Sequence, residues 1–271
     1  MVKTLFSNFL RKIRLIYFAD LIRFYIVKNK QRKKNILFSK QNPNFLLPPS
    51  YLIYESFNLD YENYYRSGKH DAEEIIKIVS RHETLDTTKI LDWGCGPGRI
   101  IRHFPALLPT SEFYGTDYNK KTIDWCSANL PNINFNKNLL SPELPYQNDY
   151  FDLIYGISIF THLSLEMHYG WFEELYRITK PGGILYITSQ GDNFRHKLSV
   201  SELQDYENDT LVIRDNVKEG HRTFTTFHPP KFMRNLFERM EILEHIITKP
   251  PQGENWIPQD KWVLRKRIKN S

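Results

Sequence analysis

Three glycines at alternate positions, Gly94, Gly96 and Gly98, follow a short apolar run that ends in an acid, Asp92. The segment 89–101 reads Lys-Ile-Leu-Asp-Trp-Gly-Cys-Gly-Pro-Gly-Arg-Ile-Ile. Glycine lets the chain turn sharply and lets backbone N–H groups approach a ligand with no side chain in the way. A strand, a glycine turn and the start of a helix therefore make a cradle for a nucleotide-sized ligand. The Gly-x-Gly-x-Gly spacing departs from the Gly-x-Gly-x-x-Gly of dinucleotide sites. A second run, Phe-Tyr-Gly-Thr-Asp at 113–117, also ends in an acid, 25 residues after Asp92. No His, Cys and Asp cluster has the spacing of a metal site, so no metal is expected.

These residues need a sheet that presents strand ends along one edge. Apolar runs predict strands at 89–93, 113–117, 133–137, 151–158 and 184–189, with a final pair at 241–248 and 261–267. Asp71 with Glu74 three residues on has the form of a capping box and predicts a helix to about Arg81. A helix from Gly98 should stop at Pro105, and others should cover 119–130, 164–179 and 229–240. Residues 190–226 form a long polar insert, in which 200–206 could be a short helix. Within it, 210–213 could pair with 222–227 as a hairpin. The pattern is α/β: a Rossmann-like, doubly wound seven-stranded sheet, mostly parallel with one antiparallel strand.

Taken in order, the glycine loop, Asp117, the run Phe-Asp-Leu-Ile-Tyr-Gly-Ile-Ser at 151–158 and Lys180-Pro181-Gly182-Gly183 resemble the class I S-adenosylmethionine-dependent methyltransferases. The resemblance implies S-adenosyl-L-methionine as cofactor and assigns roles by position. Backbone around Gly94, Cys95, Gly96 and Gly98 would face methionine and ribose, with Asp92 fixing the loop from below. Asp117 would accept hydrogen bonds from both ribose hydroxyls, which suits an ionised two-oxygen acceptor. Tyr118 could lie on adenine, and Asn138 stands where the family often has an acid receiving the adenine amino group. Leu139 would offer a backbone N–H, and the segment Ser158 to Phe160 would touch the cofactor from the other side. Tyr65 and Arg66 match, by position, the segment that folds over the methionine end.

For methyl transfer to a weakly acidic hydroxyl, a general base helps. His162 is the candidate, since it lies just past the fourth strand. Asp192, His196, His221 and His228 flank the insert and are substrate-side candidates. Finer text, Asp-Trp-Gly-Cys-Gly-Pro-Gly-Arg, Ser-Ile-Phe-Thr-His-Leu and Gln-Asp-Lys-Trp-Val-Leu-Arg-Lys at 259–266, resembles bacterial methyltransferases associated with surface-polysaccharide biosynthesis. That resemblance implies O-methylation of a glycan or similar polar acceptor. A small-molecule or RNA methyltransferase, or a methyltransferase-like scaffold subunit, stays open beside it.

The net charge of +6 conceals an asymmetry. Residues 1–40 hold 11 Lys or Arg and one acid, Asp20, while the remainder is net −4. The expected division is a basic helical arm and linker at 1–45 and a methyltransferase domain at 46–271, with a substrate-covering insert at about 190–228. A net-negative domain argues against a nucleic-acid partner. Residues 3–28 carry one apolar stripe through Phe6, Phe9, Leu10, Ile13, Ile16, Tyr17, Leu21 and Phe24, which Asp20 interrupts. A second strip, Leu15, Phe18, Ile22 and Ile26, lies nearly opposite. The arm could lie on an anionic membrane surface or pack on the domain or a second subunit. Residues 28–40 are expected as an exposed continuation or hinge. The two cysteines, Cys95 and Cys126, make no disulfide framework, and no segment reads as a signal peptide or spanning helix. A cytoplasmic protein, peripheral at the inner face of a membrane if the arm binds there, is the expectation.

Overall fold

The computed structural model describes residues 15–215, 217–250 and 256–268. Its strands are β1 (Lys89–Trp93), β2 (Glu112–Asp117), β3 (Asn134–Lys137), β4 (Phe151–Gly156), β5 (Thr179–Ser189), β6 (Val212–Arg214), β7 (Thr225–Phe227), β8 (Met240–Ile246) and β9 (Asp260–Lys266). Seven of them form one sheet in the order β3-β2-β1-β4-β5-β9-β8, and β6 pairs with β7 as a separate hairpin. β1 pairs in parallel with β2 and β4, so the glycine loop leaves an interior strand. β9 runs antiparallel to both β5 and β8, and is the one reversed strand of the sheet. This is the expected doubly wound, Rossmann-like sheet, mostly parallel with one antiparallel strand. The strand order reverses between β1 and β4, which opens a crevice at their carboxyl ends.

The helices are α1 (Ile16–Gln41), α2 (Ser50–Ser56), α3 (Tyr61–Val79), α4 (Phe104–Leu107), α5 (Lys120–Asn129), α6 (Leu165–Ile178), α7 (Val200–Glu207) and α8 (Pro230–Leu236). Strand residues alternate between two cores, as a period of two requires. Leu91, Trp93, Ile154, Leu185, Ile187, Trp262 and Leu264 join one, with Trp171 and Phe172 of α6. Ile90, Leu153, Tyr155, Ile184, Tyr186 and Val263 join the other, with Ile75 and Ile78 of α3. Trp93 and Trp262 are almost fully buried, and each such aromatic removes a large apolar surface from water. Rigid packing beneath β1 and β4 is what holds their loop ends in place.

Four local expectations need correction. Asp71 and Glu74 do not start a helix. α3 begins ten residues earlier, where the Asp60 side chain accepts from the Asn63 N–H. Asp71 lies inside α3 and pairs with Arg99 at 2.6 Å, tying the helix to the glycine loop. Pro105 does not end a helix but sits in the first turn of α4, where its missing N–H costs nothing. Of the two readings for residues 28–40, the structure shows the exposed continuation and not the hinge, because α1 runs unbroken through them. β5 starts at Thr179, so Lys180 to Gly183 belong to the strand, with a register break opposite Phe151 and Leu153.

α1 packs on the domain through Phe24, which shares a small core with Ile53, Tyr54, Leu59 and Tyr64. Ile16, Asn35 and Phe38 are also buried. Phe6, Phe9, Leu10 and Ile13 of the predicted stripe lie outside the described residues. The insert carries its own core of Phe194, Tyr206, Val212 and Phe227. No helix among the described residues is long and apolar enough to cross a membrane.

Candidate active site

Gly94, Gly96 and Gly98 have φ of 75°, 51° and 70°, a region that L side chains rarely occupy. A Cβ at Gly94 would lie 2.1 Å from Ile159 Cδ1, so the loop also needs glycine for space. The Gly94 and Cys95 N–H groups both donate to the Thr116 carbonyl at 2.8 Å, which folds the loop back over β2. Asp117 completes the clamp. One carboxylate oxygen accepts from the Gly96 N–H at 3.0 Å, the other from the Asn119 N–H at 2.7 Å. Burial raises its pKa to about 6, and those two backbone donors oppose the rise.

A cleft of about 140 Å³ opens at this edge, lined by Gly94, Gly96, Asp117, Tyr118, Ser158 and His162, among others. A hollow of about 70 Å³ beside it is lined in part by Asn138, Leu139, Ile159 and Trp171. Asn138 is buried; its Nδ2 donates to the Leu139 carbonyl at 2.6 Å. Its Oδ1 has no hydrogen-bond partner among the described residues. An unsatisfied buried acceptor is costly, so this atom is open to a donor from a ligand in the hollow. Asn138→Ala should weaken binding of an adenosyl ligand by about 1–3 kcal/mol, measured by titration calorimetry, with little change in melting temperature.

His162 lines both the cleft and the hollow. Its Nδ1 lies 2.8 Å from the Phe224 carbonyl oxygen, an acceptor only, so Nδ1 carries the proton and Nε2 keeps a lone pair. Burial lowers the pKa of the ring, which leaves it neutral near neutral pH. The turn 218–224 of the insert closes this side. The Gly220 N–H donates to the His162 carbonyl at 3.0 Å, and the Tyr118 hydroxyl donates to the Gly220 carbonyl at 3.1 Å. Arg222 bonds Asp20 of α1 at 2.9 Å, and the Lys218 N–H donates to the Tyr17 hydroxyl at 2.5 Å. The first turns of α1 therefore brace the cleft wall.

Several expected site residues lie elsewhere. Arg66 is on an exposed face of α3, paired with Glu62 at 3.0 Å, and Tyr65 packs against Phe45 and His103. Both followed from the misplaced helix start. Phe160 is fully buried, stacked on His168 with ring centres 4.9 Å apart, and its neighbour Ile159 faces the cleft instead. Cys95 is buried under the loop, where its thiol donates to Gly96 O at 3.3 Å. Burial lifts that thiol well above its usual range, so it is inert packing. Asp92 is buried near the end of β1, and burial raises it to about 7. Asp192 opens a short 3₁₀ turn and accepts from Tyr206, while His196 lies in the same turn; neither lines the cleft. His221 does line it, and packs edge-on against Tyr17.

His228 is buried in the core, its Nε2 3.0 Å from the His168 Nε2. The Gln190 N–H donates to His228 Nδ1, and His168 Nδ1 donates to the Ser164 carbonyl. One consistent tautomer set follows: both rings are neutral and His228 donates to His168. Burial lowers His168 to about 4 and His228 well below its usual value. The unfolded chain then binds more protons as pH falls through about 6.5, so stability is lost on acidification. His168 alone should cost about 3 kcal/mol between about pH 7 and about pH 4, read from urea melts. His168→Asn should flatten that dependence; an unchanged slope would contradict a neutral pair.

The sequence reading missed Gly220, Arg222, Glu55 and Ser56, all of which line the cleft. Glu55 accepts from Asn119 Nδ2 at 3.2 Å, and burial raises its pKa. One signal was present: Asp20 breaking an apolar stripe marks a carboxylate in need of a partner.

Residues 90–183 match a family model described as a methyltransferase domain. A 138-residue stretch is 36% identical to phosphoethanolamine N-methyltransferase of Plasmodium falciparum, covering 47% of each chain. Another, of 116 residues, is 34% identical to a tRNA (carboxymethyluridine(34)-5-O)-methyltransferase of Arabidopsis thaliana, covering 41% of this chain and 26% of that one. The chain thus spans about half or less of these relatives. Among solved structures, it is similar in fold to an S-adenosylmethionine-dependent methyltransferase of Methanosarcina mazei. There the TM-score is 0.55 at 19% identity, over 71% of this chain and 98% of that one. A second, from Clostridium acetobutylicum, gives 0.51 at 13% identity, over 73% and 91%. Residues 90–183 thus match a methyltransferase domain and lie on the fold of S-adenosylmethionine-dependent methyltransferases, which makes S-adenosyl-L-methionine the cofactor to test against the site. The unsatisfied Asn138 oxygen, the Asp117 carboxylate and the glycine cradle fit that cofactor.

Proposed function

We propose that the chain transfers a methyl group from S-adenosylmethionine to a hydroxyl of a polar acceptor, a glycan in the first instance. The observation that carries the hydroxyl reading is His162, which lines the cleft with Nδ1 fixed on the Phe224 carbonyl and Nε2 left unprotonated. Gly94 to Gly98, Asp117 and Asn138 would hold the cofactor, which supplies a methyl activated by its positive sulfur. His162 would take the acceptor proton at Nε2, and its lowered pKa keeps the base form available below the usual histidine range. Gly220 and Tyr118 would exclude water from the same space.

A second reading, N-methylation of a small amine, is favoured by Glu55. Its carboxylate sits at the cleft and could hold an ammonium group. The match to a phosphoethanolamine N-methyltransferase supports the same reading. Incubating the protein with methyl-labelled cofactor and fractionated cell-envelope extract, with phosphoethanolamine in parallel, separates them. Label in a carbohydrate fraction, released by ether cleavage, supports the glycan. Label in phosphoethanolamine alone overturns it.

A further inference from the structure

α1 has two apolar faces, and only one of them meets the domain. Ile16, Phe24 and Phe38 are buried, with Val27 half-buried beside them. On the opposite side Leu15, Phe18, Leu21, Ile22, Tyr25 and Ile26 are exposed, Phe18 at 63% and Ile26 at 62%. At 100° per residue these six occupy one broad solvent stripe, far from the buried face. Exposed cations border it: Arg23 and Lys30 on one flank, Lys28 on the other, and Arg32 and Lys33 in line with it. The one acid of α1, Asp20, is turned inward and neutralised by Arg222.

We infer that this outer face of α1 docks on an anionic lipid surface. Contiguous exposed apolar patches of this kind mark interaction sites. A cationic border chooses the partner: anionic headgroups attract each Lys and Arg while the apolar side chains enter the headgroup boundary. A second copy of the chain offers these cations no opposite charge on the same face, because Asp20, the one acid of α1, is turned inward to Arg222. The inner face of the same helix holds Lys218 and Arg222 through Tyr17 and Asp20. Docking would therefore hold the cleft wall about one helix diameter, ~10 Å, from the lipid surface. The surface itself does not rest on the methyltransferase reading.

Co-sedimentation of the full chain with phosphatidylglycerol–phosphatidylcholine vesicles, and with pure phosphatidylcholine, tests the inference. Binding is expected on the anionic vesicles alone, falling as added salt shortens the screening length to ~8 Å at physiological strength. Replacing Phe18, Ile22 and Ile26 together by Ser should lower the partition coefficient by at least ~100-fold. The melting temperature and the affinity for S-adenosylhomocysteine should not move. A full-length protein that ignores anionic vesicles at low salt overturns the inference. Light scattering that shows a dimer broken by the triple variant, without vesicle binding, assigns the face to a second copy instead. A triple variant that melts early without vesicle binding in the parent shows the face to be covered by the chain's own residues. Failure of the cofactor titration, with vesicle binding intact, would strike the methyltransferase reading alone.

Discussion

His162→Ala should lower turnover by roughly 10²–10⁴-fold, the usual contribution of a positioned general base, and leave cofactor affinity nearly intact. The separation follows from geometry. His162 takes no part in the clamp on the glycine loop, which is built from Asp117, Thr116 and backbone N–H groups. Its own anchor is the Phe224 carbonyl in the insert, so it answers to the acceptor side of the cleft. The pH profile gives a second readout. A ring whose pKa is lowered by burial stays basic further into acid, so the acid limb of turnover should lie below the ordinary histidine value of 6.5. His162→Gln, which can still bond Phe224 yet cannot accept a proton at neutral pH, should be nearly as inactive. Turnover within a few-fold of the parent in both variants would move the base elsewhere or show that none is used.

Asp117→Ala should weaken cofactor binding by at least about 1–3 kcal/mol, the cost of losing a charged hydrogen-bond partner. Two effects add here. The ligand hydroxyls lose their acceptor, and the Gly96 and Asn119 N–H groups that Asp117 holds lose theirs. Asp117→Asn keeps one acceptor oxygen and should recover part of the loss. Because burial raises Asp117 to about 6, cofactor affinity in the parent should also fall as pH drops through that value. Equal affinity in folded Asp117→Ala protein would remove this residue from the site.

The sheet and the edge that carries the cleft were legible because their causes are local. An apolar run needs a strand, and three glycines at φ values that other residues avoid need a turn. Asp117 and Asn138 follow from strand ends alone. The helix before β1 was misread because Asp71 and Glu74 imitate a capping box, whereas the functioning cap is Asp60. That shift carried Tyr65 and Arg66 to the wrong side. Beyond β4 the strand alternation fails, since Ser158 adopts φ 64° and turns Ile159, not Phe160, toward the cleft. His228 could not be placed because its partner His168 is 60 residues away in sequence, and only tertiary packing brings them together. Asp20 lies between these cases. Its misfit in an apolar stripe was visible, but Arg222, which explains it, is 202 residues distant.

Titration calorimetry of the full chain with S-adenosylhomocysteine tests the central claim most directly, because it needs no acceptor. One saturable site in the submillimolar range or tighter is predicted, weakened in both Asp117→Ala and Asn138→Ala and nearly unchanged in His162→Ala. No heat of binding from folded protein at submillimolar ligand would contradict it, and the glycine cradle would then belong to a methyltransferase-like scaffold.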